Sequence, residues 1–178
     1  MNVRNTSLHG VHLVGLDSFR DARGLFVRAF CDRDFASAGL HARWMQTNVS
    51  CTVQRGMLRG LHFQRPPSDE IKLIQCLTGT VYDVIVDLRR DSPSYARWEA
   101  FVLSANSTVA VYAPAGCAHG FQCLTDDCRL LYHMSSEYVP ALSAGVCWDD
   151  PDLAIAWPLE KPILSERDAA MPTLAELL

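Results

Sequence analysis

Apolar and polar positions alternate through the middle of the chain. In "TVYDVIVDLRR" (80–90), Tyr82, Val84, Val86 and Leu88 alternate with Val81, Asp83, Ile85 and Asp87, the two-residue period of a strand whose side chains point to opposite faces. Further runs rich in Val, Ile, Tyr and Phe fall at about 11–16, 25–30, 43–53, 72–77, 97–103, 108–113, 119–124 and 128–135, each bounded by Gly, Pro, Asp or Ser, and these predict strands. The polar-rich stretch "LRGLHFQRPPSDEIKL" (58–73) also reads as sheet. Helical pattern is confined to "RDFASAG" (33–39), which ends on Gly39, and to "TLAELL" (173–178), with Gly39 where a helix C-terminus favours it. Ser165 and Asp168, three residues apart, resemble a helix-capping pair. No repeat, linker or low-complexity tract interrupts the chain. The pattern predicts one all-β domain over 1–178 with a few short helices, a small antiparallel barrel or jelly roll whose strands close on themselves. The face of 80–90 that carries Asp83 and Asp87 among aliphatics suits a lumen that holds a polar ligand.

Size and composition narrow this. A chain of 178 residues supports one sizeable core and is short for two. Its 49% apolar and 20% charged residues mark a folded globular chain rather than a disordered one. The net charge is −4 and the basic residues are scattered, so the footprint of a nucleic-acid binder is missing. No apolar run has the length of a membrane span, and "MNVRNTSLHGVHLVGL" is broken by polar residues where a signal peptide needs an apolar centre; a cytosolic protein without a membrane partner is expected. Seven cysteines, at 31, 51, 76, 117, 123, 128 and 147, include no C-x-x-C pair. The set fits neither disulfides nor a zinc ribbon, and most of the seven are expected to be small buried thiols.

Two polar segments, "GMLRGLHFQRPPSDEIKL" and "YAPAGCAHGFQC", resemble the paired motifs of the cupin superfamily. Its metal-binding members place two histidines one residue apart, then a glutamate, then a third histidine; here Gln64 stands at the second position and only His62 and His119 remain. Two imidazoles make a poor transition-metal site. The chain more closely resembles the dTDP-4-dehydrorhamnose 3,5-epimerases, a metal-free branch of that superfamily, through "DARGLFVRAF", "QTNVS", "RGMLRGLHFQ", "KLIQCLTGTVYDVIVDLR", "YAPAGCAHGFQ", "LYHMSSEYVP", "GVCWDDPDLAIAWP" and "ILSERD". The resemblance implies a cupin-type jelly roll, a homodimer whose N-terminal strands cross to the partner's sheet, a nucleotide-linked 4-keto-6-deoxy sugar as substrate, and neither metal nor other cofactor.

Epimerisation beside a ketone needs a base for the carbon-bound proton, a group for the enolate charge and an acid on the opposite face. His62 is the natural base, since an imidazole titrates near neutral pH. By resemblance Lys72 faces the enolate oxygen, where a fixed cation in a dry cavity is effective, and Tyr132 returns the proton. The base also needs an orienting carboxylate. Asp168 matches the family's partner for His62, although it could instead cap the final helix and Asp83 could take the orienting place. Arg59 and His119 are read as contacts to diphosphate or sugar; by resemblance to the family, Tyr138 is the ring that stacks on the base, and Arg23, Gln46, Asn48 and Arg167 are further substrate contacts.

One position departs from the family pattern. Arg28 stands where many members carry a glutamate that contacts the nucleotide end, and such a charge reversal bears on which nucleotide is preferred. A CDP-linked or other nucleotide sugar therefore stays open beside dTDP, as does inversion at one carbon rather than two. Two other classes also remain at this level: a metal-dependent cupin using His62, Gln64 and His119, and a sugar-nucleotide-binding module without turnover.

Overall fold

The computed structural model describes residues 1–177. Among these residues thirteen strands, three short α-helices and one 3-10 turn (Pro140–Leu142) follow one another. The strands are β1 (Asn2–Asn5), β2 (His12–Gly15), β3 (Ser18–Asp21), β4 (Gly24–Val27), β5 (Gln46–Thr52), β6 (Leu58–Gln64), β7 (Lys72–Thr78), β8 (Thr80–Asp87), β9 (Trp98–Ser104), β10 (Val109–Ala113), β11 (Cys117–Cys123), β12 (Cys128–Met134) and β13 (Ser143–Gly145). The helices are α1 (Asp32–Ser37), α2 (Glu166–Ala169) and α3 (Leu174–Leu177). Position 178 of the helix expected at 173–178 lies outside the described residues. None of these helices is long and apolar enough to cross a membrane.

Two antiparallel sheets face each other, one in the order β1-β2-β10-β7-β12-β5 and the other β13-β6-β11-β8-β9. From β5 onward the chain crosses between them at every step except the β8–β9 hairpin, which is jelly-roll winding. The expectation that the strands close on themselves is corrected: β1 and β5 end one sheet, β13 and β9 the other. The sheets are held by side chains between them, at a separation too wide for backbone hydrogen bonds. Val11, Ile74, Ile85, Val111, Phe121 and Leu130 belong to this filling and are nearly or fully buried.

Both outer faces are covered as well. On β8 the opposite set, Val84 and Val86, packs with Val146, Leu153, Ile155 and Leu174 of the C-terminal segment. Phe35 of α1 packs with Val14, Leu16, Leu73, Ala110 and Tyr112 on the other sheet. That double covering explains why β8 is apolar on both faces apart from its two aspartates. β6 and β11 come unusually close: a Cβ on Gly60 would stand 2.4 Å from the Gly120 Cα, and Gly60 has φ +130°. Only glycine fits there.

β1 and β2 pair with the chain's own sheet through β10. What projects is the β3–β4 hairpin, a separate two-stranded sheet with Phe19 61% and Phe26 69% exposed.

Asp87 closes the loop after β8. Its buried carboxylate accepts from Arg89 Nε and Nη2, both at 2.8 Å, and from the Ser92 and Ser94 hydroxyls. Burial alone would raise its pKa, but these donors outweigh it and bring it down to about 2. Since the folded value lies below the unfolded value of about 3.9, the pair stabilises the fold fully above that value and is lost as pH falls toward 2. Asp87→Asn is expected to cost about 2 kcal/mol at pH 7. In urea denaturation the gap to the wild-type chain should shrink at pH 3, and an equal gap at both pH values would contradict this.

Candidate active site

A cavity of about 250 Å³ opens between the two sheets. It is lined by His62, Lys72, Tyr132, Arg59, His119 and Tyr138, together with Asn48 and Arg167, so most of the residues singled out from the sequence converge. The five-stranded sheet supplies Arg59 and His62 from β6 and His119 from β11, and the six-stranded sheet supplies Lys72 from β7 and Tyr132 from β12.

The Asp168 carboxylate meets His62 Nε2 at 2.7 Å. A carboxylate only accepts, so Nε2 carries the hydrogen and the lone pair of the neutral ring is on Nδ1. Burial pulls the Asp168 pKa up, but the bond from His62, its positive charge when protonated, the Gly60 N–H and Ser165 together bring it below the ordinary carboxylate value. Asp168 therefore stays an anion. α2 sets this geometry: the Ser165 hydroxyl accepts from the Asp168 N–H at 3.1 Å, so the capping expected at this end is made by Ser165, and the Asp168 side chain is free for His62.

Asp83 serves a different imidazole. It is fully buried on β8, and its Oδ1 accepts from His119 Nε2 at 2.6 Å. The choice left open between Asp168 and Asp83 thus resolves by neighbourhood: β8 lies beside β11, which carries His119, whereas α2 reaches β6.

The Lys72 ammonium donates to the His62 carbonyl oxygen at 3.1 Å and pairs with Glu70 at the same distance. The Tyr132 hydroxyl lies 3.5 Å from Ser50 Oγ, and its ring meets His119 edge-on at 5.7 Å. Burial, with the Asp83 charge adding to it, pushes the phenol pKa well up against the smaller pull of Ser50 and Arg59, so the hydroxyl keeps its proton. The arrangement thus holds an imidazole backed by an anion, an ammonium and a protonated phenol around one cavity.

Arg59 is anchored through Nε to Thr52 Oγ1 at 3.0 Å, and Arg167 through Nη2 to Ser143 Oγ at 2.7 Å. Asn48 Nδ2 touches Met134 Sδ at 3.4 Å. Gln46 is not at the cavity wall; its Oε1 accepts from the Tyr138 N–H at 3.1 Å and steadies the half-exposed Tyr138. Arg23 and Arg28 also lie outside this cavity, because the hairpin that precedes and carries them projects away from the sandwich. Arg23 is 90% exposed and bonded to Asp21, while Arg28 pairs with Asp34 at 3.4 Å. Gln64, where a cupin metal site would want a third ligand, turns its Nε2 toward the Ser68 and Glu137 carbonyls and the Glu70 carboxylate, and its Oε1 accepts from the Val139 N–H.

Sequence reasoning missed Glu70, Ser50 and Ser143. A carboxylate two positions before Lys72 was a usable signal, because that spacing returns to the same face of an extended chain; the serines carried none.

Fold and cavity define a cupin-type jelly roll with a site furnished for acid–base chemistry. The chain belongs to the dTDP-4-dehydrorhamnose 3,5-epimerase family, whose model matches residues 5–176. It is 40% identical over 174 residues to the dTDP-4-dehydrorhamnose 3,5-epimerase of Methanothermobacter thermautotrophicus, covering 96% of this chain and 93% of that protein. It is 41% identical over 177 residues to the dTDP-4-dehydrorhamnose 3-epimerase of Streptomyces niveus, covering 99% and 85%. The solved 3,5-epimerase of Bacillus anthracis with TDP and PPi bound superposes with a TM-score of 0.94 at 38% identity, covering 97% of this chain and 98% of that one.

Long-range ¹H–¹⁵N spectra are expected to show neutral His62 protonated on Nε2 in the wild-type chain and a mixture of tautomers in Asp168→Asn. A wild-type ring protonated on Nδ1 would contradict the pairing.

Proposed function

We propose that this single-domain chain (1–178) is a metal-independent epimerase of a dTDP-linked 4-keto-6-deoxy sugar, inverting the carbons on both sides of the ketone. The observation that carries this reading is the convergence of His62–Asp168, Lys72 and Tyr132 on one cavity in a chain of this family. His62 takes the carbon-bound proton beside the C4 ketone, and Asp168 stabilises the imidazolium that results. The electron pair moves onto the ketone oxygen, where the Lys72 ammonium meets the developing charge. Tyr132, kept protonated by its burial, gives a proton to the carbon from the other face. Arg59 and Arg167 at the cavity rim, with His119, suit a diphosphate, and Tyr138 offers its ring to the base. dTDP is favoured over CDP by the Bacillus anthracis relative, which was solved with TDP.

Proton NMR in heavy water with dTDP- and CDP-linked 4-keto-6-deoxyglucose tests this. The dTDP sugar should lose its H3 and H5 signals. Loss of H3 alone would establish the 3-epimerase reading, which the comparable identity to the Streptomyces niveus protein supports. His62→Ala should slow exchange by about 100-fold or more with the thermal transition retained; undiminished exchange would remove His62 as the base.

The active form in this reading is a homodimer, with the β3–β4 hairpin of one protomer bringing Arg23 to its partner's cavity and placing Arg28 near the nucleotide end. Exposed Phe19 and Phe26 on the hairpin and exposed Met45 and Val49 at the β5 edge support it, since aromatic surface on an edge invites a second chain. Mixing inactive His62→Ala with inactive Arg23→Ala should restore exchange through mixed dimers. A monomer in sedimentation velocity, or no restored activity, would refute the arrangement.

A further inference from the structure

Lys72 is buried with its neighbour Glu70: the two side chains are 5% and 6% exposed, and Lys72 Nζ stands 3.1 Å from Glu70 Oε1. A lone ammonium carried into such a space loses its hydration at a cost of several kcal/mol, and desolvation favours the neutral amine. A carboxylate in contact reverses that preference. The ammonium has three hydrogens: one faces Glu70, one the His62 carbonyl oxygen at 3.1 Å, and the third is left for the cavity.

Glu70 is itself held from behind. Gln64 Nε2 donates to Glu70 Oε2 at 3.3 Å, and the same amide nitrogen reaches the carbonyls of Ser68 at 3.1 Å and Glu137 at 3.0 Å. Gln64 Oε1 accepts from the Val139 N–H at 2.7 Å. The carboxylate is thereby tied to the segment that presents Tyr138. Other titratable groups face Lys72 across the sandwich. Cys117 stays a neutral thiol, its pKa pushed up to about 12, mainly by burial. His62, Arg59, His119, Tyr132 and Arg167 share the cavity wall. Among the described residues, Glu70 is the carboxylate within ion-pair distance of the ammonium.

We infer that Glu70 is a positioning residue of the reaction, acting through Lys72: it holds the buried ammonium in place and aims the remaining N–H at the place where the enolate oxygen forms. The inference rests on the epimerase reading above, and its test separates the two. Lys72 and Lys161 are the two lysines of the chain, so a sample labelled in its lysine side chains gives one ¹³Cε signal for each. Glu70→Gln keeps the shape and removes the charge. The Lys72 signal should then titrate at lower pH than in the wild-type chain while Lys161 is unmoved, and the alkaline limb of kcat for deuterium exchange should shift the same way with KM unchanged. In a Lys72→Met background Glu70→Gln should add no further loss.

An unmoved Lys72 titration overturns the inference, and so does an equal loss in the Lys72→Met background, which would give Glu70 a purely structural role. If circular dichroism shows Glu70→Gln unfolded, Glu70→Asp replaces it: the carboxylate retreats by about 1.5 Å, and the Lys72 titration should again move to lower pH, an unmoved one again overturning the inference. The NMR titration needs no turnover. A wild-type chain without any exchange therefore sinks the epimerase reading, and the lysine signal still reports on the pair.

Discussion

Charge enclosed by apolar sheets has to meet opposite charge, and this constraint shapes the interior of the protein. Burial without a partner costs several kcal/mol, a large part of the fold's margin of stability. Most buried charged groups accordingly come as couples, His62 with Asp168, His119 with Asp83, Lys72 with Glu70, and Arg89 with Asp87, while buried Asp150 is held by the backbone N–H groups of Asp152, Leu153 and Leu174. Three of the four leave something over. Asp168 leaves His62 a lone pair, Glu70 leaves Lys72 a hydrogen, and Asp83 keeps an oxygen, Oδ2, without a hydrogen-bond partner among the described residues. Only the Asp87 couple is saturated, by Ser92 and Ser94, and it alone lies away from the cavity.

The same constraint explains why the cavity is assembled from distant parts of the chain. His62 and Asp168 are separated by 106 positions, and His119 and Asp83 by 36. Crossing between sheets sets the reactive side chains on facing walls, and the C-terminal segment that covers the outer face of the five-stranded sheet returns through α2 to deliver Asp168. Stability and chemistry therefore share a segment: Val146, Leu153 and Leu174 seal one face while the helix among them holds the carboxylate.

Much of the sheet was legible because a strand's period is local. β8, β10 and β12 fall close to their expected limits, and the capping of α2 by Ser165 was visible from spacing alone. β1, β3 and β13 were not, since strands of three or four residues carry too little pattern, and β1 and β3 are mostly exposed besides. The interior role of β8 was half visible. Its two aspartates were recognised as lying on one mixed face, but one holds an imidazole at the cavity and the other a loop, a distinction that depends on which strand or turn comes alongside.

The amino-acid order by itself determined which residues line up as candidates, because the resemblance rests on ordered motifs and each of His62, Lys72, Tyr132 and Asp168 sits within one. It also determined the β class and the free thiols. Tertiary structure alone decided the pairings: Asp168 rather than Asp83 for His62, Glu70 behind Lys72, and Arg23 and Arg28 on a hairpin outside the chain's own cavity. The reason is that pairing depends on distance between elements remote in sequence, set by sheet order and by the packing of the C-terminal segment, and no local period encodes either.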